Sequence, residues 1–270
     1  MVKMMSRKVL VVGSGISGVA ATELLKKQGD EVILFDGNPK LDVQALREKH
    51  PVFKDVEIIL GELPEEKMSA FDLVVLSPGV PTDIPMVCAL REKHIPIWGE
   101  IELAYQCAKG SVIAITGTNG KTTTTALVGQ IMENYFSDVK VVGNIGIPYT
   151  SVAAETTEET VTVAEISSFQ LETIHEFHPK VSAILNITPD HLNRHHTMEC
   201  YIKTKERIAE NQTADDTCVL NYEDEVLREF GSHLKTKVLY FSSRQKLENG
   251  LYLEGEDIFY HDGTKAVKVI

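Results

Sequence analysis

Lys8-Val9-Leu10-Val11-Val12-Gly13-Ser14-Gly15-Ile16-Ser17-Gly18 joins a short β-branched run to a glycine-rich turn and the first residues of a helical pattern. A G-x-G-x-x-G turn between a strand and a helix is built to receive phosphate. Gly13 permits the tight turn, Gly15 lets backbone approach a diphosphate, and Gly18 lets the helix pack on the strand. The helix start, expected near Val19, points unpaired N–H groups at negative charge. Asp36 ends the next strand, where an acidic residue usually meets a nucleoside. A tight turn with no ligand satisfies the same glycines. The motif also does not distinguish a nicotinamide dinucleotide from a nucleotide sugar, since both present a diphosphate.

Outward from this turn the first hundred residues alternate strand-like and helical runs: Lys8–Val12, Ala20–Gln28, Glu31–Phe35, Val43–Lys49, Val56–Leu60, Leu73–Leu76 and Met86–Lys93. That is the rhythm of βαβ units and a parallel sheet. Gly and Pro punctuate it at Ser77-Pro78-Gly79-Val80-Pro81 and at Ile95-Pro96-Ile97-Trp98-Gly99, and the domain boundary is placed near Trp98, dividing 1–98 from 99–270. A helical stretch from Glu100 to Ala108 then leads to strands at Val112–Ile115, Val139–Val142, Val161–Ile166, Val181–Asn186, Cys218–Asn221 and Val238–Phe241, with a helix after Lys121. The predicted class is α/β throughout: a Rossmann-like amino-terminal domain followed by a P-loop-type central domain. From Leu251 the pattern reads as short antiparallel strands, and the last of them ends the sequence without a capping element, as expected of an incomplete second domain.

Composition narrows the ligands. With 27 basic and 39 acidic residues the formal net charge is -12, so no bulk field attracts nucleic acid and an anionic ligand must be held by local groups. The 4 cysteines form no C-x-x-C pair, which fits a reducing cytoplasm. Lys3, Arg7 and Lys8 before an apolar run imitate a secretory leader, but Gly13 interrupts that run after four residues, short of the roughly 7–15 that a leader needs. A cytoplasmic monomer without membrane insertion or nucleic-acid partner is expected.

A second phosphate loop follows a second strand: Ile113-Ala114-Ile115-Thr116-Gly117-Thr118-Asn119-Gly120-Lys121-Thr122-Thr123. The strict G-x-x-x-x-G-K-[ST] pattern has glycine where this chain has Ile115. The working parts remain: backbone N–H groups from Gly117 through Thr118, Asn119 and Gly120 to wrap a triphosphate, Lys121 for the β/γ oxygens, and a Thr122 hydroxyl within reach of Mg2+, with Thr123 beside it. The bland alternative is a lysine that merely opens a helix. Two cradles on two α/β domains imply one ligand whose phosphates are spectators and another whose γ-phosphate reacts, which favours an ATP-driven enzyme over a dehydrogenase.

The run Gly117–Thr124 resembles the ATP loop of the Mur ligase superfamily, the amide-forming enzymes of peptidoglycan assembly and their folylpolyglutamate synthetase relatives. Ala164-Glu165-Ile166-Ser167-Ser168-Phe169-Gln170-Leu171-Glu172 and Asn186-Ile187-Thr188-Pro189-Asp190-His191-Leu192-Asn193-Arg194-His195 narrow the resemblance to the branch that adds D-glutamate. The resemblance implies ATP-dependent joining of D-glutamate to UDP-MurNAc-L-Ala through an acyl phosphate, in an enzyme whose third domain, carrying the D-glutamate pocket, is absent here.

It also implies roles. Lys121, Glu165, His191 and Lys205 would be catalytic. Thr122, Glu165, His191 and Lys205 would serve two magnesium ions, Lys205 as a carbamate, because an ammonium would oppose a metal rather than bind it. Ser14, Gly15, Ile16 and Ser17 would cradle the UDP diphosphate, Asp36 would touch the uracil, and Ser77, Pro78 and Gly79 would line the same cleft. Asn144 and Gln170 would reach the muramoyl portion. Alone, Lys205 reads as a surface helix residue, and Glu165 equally as a metal-holding carboxylate or a solvated strand end. His195 and His196 match no role, and Asn193 stands where relatives often have Asp. Two alternatives stay open: a nucleotide-binding fragment without turnover, and a nicotinamide-dependent oxidoreductase resting on the first glycine motif alone.

Overall fold

The computed structural model describes residues 6–144 and 146–270. The first elements in chain order are β1 (Lys8–Val12), α1 (Ile16–Gln28), β2 (Glu31–Asp36), α2 (Val43–Lys49), β3 (Glu57–Leu60), α3 (Glu65–Met68), β4 (Leu73–Leu76), α4 (Pro85–Glu92), β5 (Ile97–Gly99) and α5 (Glu100–Cys107). There follow β6 (Ser111–Thr116), α6 (Lys121–Glu133), β7 (Val139–Gly143), α7 (Tyr149–Val152), β8 (Val161–Glu165), α8 (Ser168–Leu171), β9 (Val181–Ile184), α9 (Leu192–His195) and α10 (Met198–Glu206). The last are β10 (Thr217–Asn221), α11 (Glu225–His233), β11 (Lys237–Ser242), β12 (Asn249–Glu254), β13 (Asp257–Asp262) and β14 (Ala266–Lys268).

The first compact unit holds residues 1–109, 146–157 and 169–177. Its sheet is ordered β3-β2-β1-β4-β5 and every pairing is parallel. Such a sheet is covered on both faces, which is why β1 and β4 are continuous apolar runs rather than alternating ones. Leu10, Val12, Ile33, Phe35, Val74 and Leu76 build its core with Val87 and Leu90 of α4. The chain leaves β1 for β2 on one side and reaches β4 on the other, so the carboxyl end of β1 is the switch point at which open α/β sheets bind ligands. Helix α1 begins at Ile16 rather than near Val19, because the turn is complete at Gly15, the N-cap, whose extended backbone leads directly into the helix.

The first sheet ends at Gly99, next to the boundary read at Trp98, yet the compact unit runs on through α5 and recruits two later stretches. Two buried acids on α5 explain the recruitment. Glu100 accepts from the Thr150 N–H at 2.7 Å and its hydroxyl at 2.9 Å. Glu102, fully buried, accepts from the N–H groups of His175, Glu176 and Phe177 at 2.8–3.1 Å. A buried N–H without its acceptor costs about 1–3 kcal/mol, so Glu102 alone ties 169–177 down firmly. Burial raises the Glu100 carboxyl above the ordinary carboxylate range, and the Thr150 bonds offset only part of that.

The second unit holds residues 110–145, 158–168 and 178–270. Its sheet is ordered β14-β13-β12-β11-β10-β9-β6-β8-β7. The strands from β7 to β12 pair in parallel; β13 and β14 join antiparallel. The expected antiparallel tail is therefore corrected at its first strand, since Phe241 and Ser242 of β11 run parallel to Leu251 and Tyr252 of β12. Strand β6 lies between β8 and β9, making its carboxyl end the second switch point. Strand β9 stops at Ile184, two residues short of Asn186, because Asn186 turns to serve the loop after β6. No helix of the described residues is long and apolar enough to cross a membrane.

Candidate active site

In the first unit, Gly13 has φ +100°, and a side chain on it would press on Ser77 Oγ at 2.8 Å. A side chain on Gly18 would collide with the Gly13 carbonyl. Gly15 faces open space. Asp36 accepts from the Ser14 hydroxyl at 2.5 Å, the Ser14 N–H at 3.0 Å and the Asn38 N–H at 2.9 Å. Burial works against its charge, but those bonds win and hold the carboxyl below its ordinary range. Asp36 thus braces the Ser14 turn, a task its sequence position did not reveal. Ser77 follows β4, beside the turn, with Pro78 half-buried and Gly79 exposed; Ile16, 75% exposed, and Ser17, half-buried, open α1.

In the second unit the loop after β6 is laced to the segment after β9. Asn186 accepts from the Asn119 N–H through Oδ1 at 2.9 Å and donates to the Asn119 carbonyl at 3.0 Å. Thr118 N–H donates to the Asn186 carbonyl at 2.9 Å, and the Thr118 hydroxyl lies 3.1 Å from both the Thr188 carbonyl and the Tyr201 hydroxyl. Gly117 has φ +150° and Gly120 φ +84°, conformations that side chains resist. Ile115 needs no glycine's freedom, because it is a buried β6 residue opposite Glu165 and the turn begins only at Gly117.

Lys121 donates to the carbonyls of Gly117 at 3.0 Å and Thr118 at 2.8 Å. Lys205, predicted on a helix surface by its sequence alone, is 1% exposed on α10. It donates to the same Gly117 carbonyl at 2.8 Å, approaches Thr116 Oγ1 at 3.5 Å and stands 4.8 Å over the Tyr201 ring. Burial, then the Lys121 charge, brings its ammonium down to about 7, with Asp190 pulling weakly the other way. Thr122 and Thr123 are exposed on the first turn of α6.

Glu165 is 3% exposed, so the solvated strand-end reading is corrected; the Asn144 side-chain amide donates to its Oε1 at 3.1 Å. His191 has φ +50° and a half-exposed ring 3.4 Å from Asp190. The structure thus joins Lys121 and Lys205 at the loop and Asn144 to Glu165. Gln170 lies in the first unit, 3% exposed, its amide nitrogen 3.4 Å from the buried Glu100. No three His, Cys, Asp or Glu of the described residues group to hold a metal by themselves.

The Mur ligase middle domain matches residues 115–270, and the Mur ligase MurD-like N-terminal domain matches residues 7–99. The chain belongs to the Mur ligase family. It is 60% identical over 259 residues to the UDP-N-acetylmuramoylalanine--D-glutamate ligase of Lachnospira eligens, covering 96% of this chain and 57% of that protein. It is 47% identical to the ligase of the same name from Clostridioides difficile, over 93% of this chain and 56% of the relative. The chain therefore spans little more than half the length of these Mur ligases. A Mur ligase of solved structure, the UDP-N-acetylmuramate:L-alanyl-gamma-D-glutamyl-meso-diaminopimelate ligase from Neisseria meningitides, shares the fold with a TM-score of 0.59 at 13% identity, over 97% of this chain and 86% of that one.

Proposed function

We propose that this chain supplies the nucleotide-sugar-binding and ATP-binding parts of a ligase that adds D-glutamate to UDP-MurNAc-L-Ala. The observation that carries the reading is the convergence of Lys121 and Lys205 on one loop carbonyl at the second switch point, which pairs a lysine at the start of a helix with a buried amine beside it, neither hydrogen-bonded to a carboxylate among the described residues. The identity to the Lachnospira eligens ligase supports the choice of substrate.

In this reading Lys121 leaves its two carbonyls to meet the β/γ oxygens of ATP, while the N–H groups of the loop wrap the phosphates. Magnesium, when bound, screens the phosphate charge, and Thr122, Glu165, His191 and a carbamylated Lys205 would hold two ions. Glu165 is kept oriented by Asn144, whose exposed side also faces the muramoyl portion. Ser14, Gly15, Ile16 and Ser17 take the diphosphate of the sugar nucleotide, Ser77, Pro78 and Gly79 line its cleft, and Asp36 contacts the uracil while bracing Ser14. The substrate carboxylate receives the γ-phosphoryl group, and the D-glutamate amine then displaces phosphate to form the amide; the D-glutamate pocket lies in the part of the relatives that this chain does not span.

Calorimetric titration decides the matter on this chain. UDP-MurNAc-L-Ala and Mg-ATP should each bind at one site. Tight binding of NADH with no heat from UDP-MurNAc-L-Ala would replace the ligase by an oxidoreductase reading of the first loop.

A further inference from the structure

Helix α9 is only four residues long, and both residues flanking it are non-glycine with positive φ, His191 at +50° and His196 at +64°. Each such conformation costs on the order of 1 kcal/mol and persists where neighbouring structure imposes it. What this strained bracket delivers is His195, turned inward and 5% exposed. Its Nε2 lies 2.9 Å from Ser168 Oγ, and its ring packs 5.2 Å from the Tyr201 ring at 49°. Tyr201 is 1% exposed, its hydroxyl meets Thr118 of the phosphate loop, and its ring underlies Lys205 one helical turn along α10.

We propose that His195 is a positioning residue of the phosphate site: its ring fixes the Tyr201 ring, and Tyr201 in turn holds Thr118 and the Lys205 side chain in place. This rests on the phosphate-site reading above for its functional consequence, not for its geometry. The ring contact of His195 with Tyr201 is separable by substitution from its hydrogen bonding. His195→Ala removes the ring and the Ser168 bond. His195→Phe keeps a ring against Tyr201 and loses the hydrogen bonding of the imidazole, the bond to Ser168 included.

The test uses the chain labelled with 13C-lysine. The Lys205 side-chain NMR signal, identified by its loss in Lys205→Arg, should lie upfield of the other lysines because of the Tyr201 ring current. Mg-ATP affinity is measured on the same samples by calorimetry. His195→Phe should melt lower yet keep both the Lys205 signal and the affinity. His195→Ala should move the signal downfield and weaken Mg-ATP about tenfold, the scale of one lost hydrogen bond. In a Tyr201→Phe background, which lacks the Thr118 contact but keeps the ring beneath Lys205, His195→Ala should cost less affinity than it does in the wild-type chain. His195→Leu, which fills the space without a ring, takes the place of His195→Ala if the latter does not fold. An unmoved Lys205 signal or unchanged affinity in the ringless variant overturns the proposal, as does His195→Phe behaving like it. If the wild-type chain does not bind Mg-ATP, the phosphate-site reading fails while the Lys205 signal still judges the positioning of Tyr201.

Discussion

Lys121 and Lys205 donate to the same oxygen, the Gly117 carbonyl, at 3.0 and 2.8 Å. Two ammonium groups on one neutral acceptor repel each other, and the buried one yields: Lys205 is brought down to about 7 by burial and by Lys121. The pair is an electrostatic tension that an anion relieves. It also makes the two lysines unequal, Lys121 half-buried at the first residue of α6 and Lys205 fully buried on α10.

Lys121→Ala should abolish measurable Mg-ATP binding by this chain, and in a complete ligase it should lower kcat about a hundredfold or more, the scale of removing one charge-stabilising group. The Lys205 ammonium should at the same time rise from about 7 toward the ordinary lysine range, because one of its two depressing influences is gone. Turnover at the wild-type rate would remove Lys121 from the chemistry.

Gly15 and Gly18 separate binding from folding. A side chain at Gly15 meets no atom within 4 Å, so Gly15→Ala should leave the melting temperature unchanged and cost the UDP-MurNAc-L-Ala affinity by occupying the diphosphate's approach. Gly18→Ala drives a methyl into the Gly13 carbonyl and should destabilise the first unit by about 1–3 kcal/mol. Thermal melts beside calorimetry distinguish the two. A Gly15→Ala protein with undiminished affinity would mean that the diphosphate does not sit on this turn.

The strands and the two glycine-rich turns were legible because parallel-sheet strands are near-continuous apolar runs and tight turns with positive φ need glycine at fixed places. Val9 to Val12 and Val161 to Ala164 show the first, Gly13 and Gly117 the second. What periodicity did not carry was the polar interior. Glu100 and Glu102 occupy a helical stretch like any surface acids, and only folding brings Thr150 and His175 to them from far along the chain. Tyr201 and Asn186 were hidden for the same reason: their partner, the Thr118–Asn119 loop, lies more than sixty residues away. The depth of Lys205 follows from that packing, so its own sequence neighbourhood says surface while its contacts say core.

Asp216 offers a pH test of the second unit away from the phosphate loop. It is 2% exposed and accepts from His178 at 2.7 Å, Lys180 at 3.1 Å, and the Thr213 N–H and hydroxyl at 2.7 and 2.8 Å. Burial opposes its charge, but these bonds hold its carboxyl well below the usual range. A folded pKa below the unfolded one stabilises the protein above about pH 4, and that stability is lost as pH falls through the folded value. Asp216→Asn should therefore cost about 2 kcal/mol at pH 7 and progressively less in acid. Urea melts from pH 7 to pH 2 check it; a constant difference across that range would show that the charge is not what matters.

Lys205 carries the last prediction. An ammonium beside two magnesium ions would be repelled, whereas a carbamate would supply oxygens, and carbamylation consumes the neutral amine. With its ammonium brought down to about 7, a substantial neutral fraction is present near neutrality and grows as pH rises. Intact mass should therefore show an added carbon dioxide in bicarbonate, more at pH 8 than at pH 6, and none in Lys205→Ala. In a complete ligase Lys205→Ala should be nearly inactive, and a short carboxylic acid should restore part of the activity by placing an oxygen where the carbamate stood. His191→Ala should lose activity without such recovery, because a carboxylic acid does not reproduce imidazole. Full activity in Lys205→Ala, or a folded Lys205→Ala protein that acids do not help, would leave Lys205 as a buried neighbour of Gly117 and nothing more.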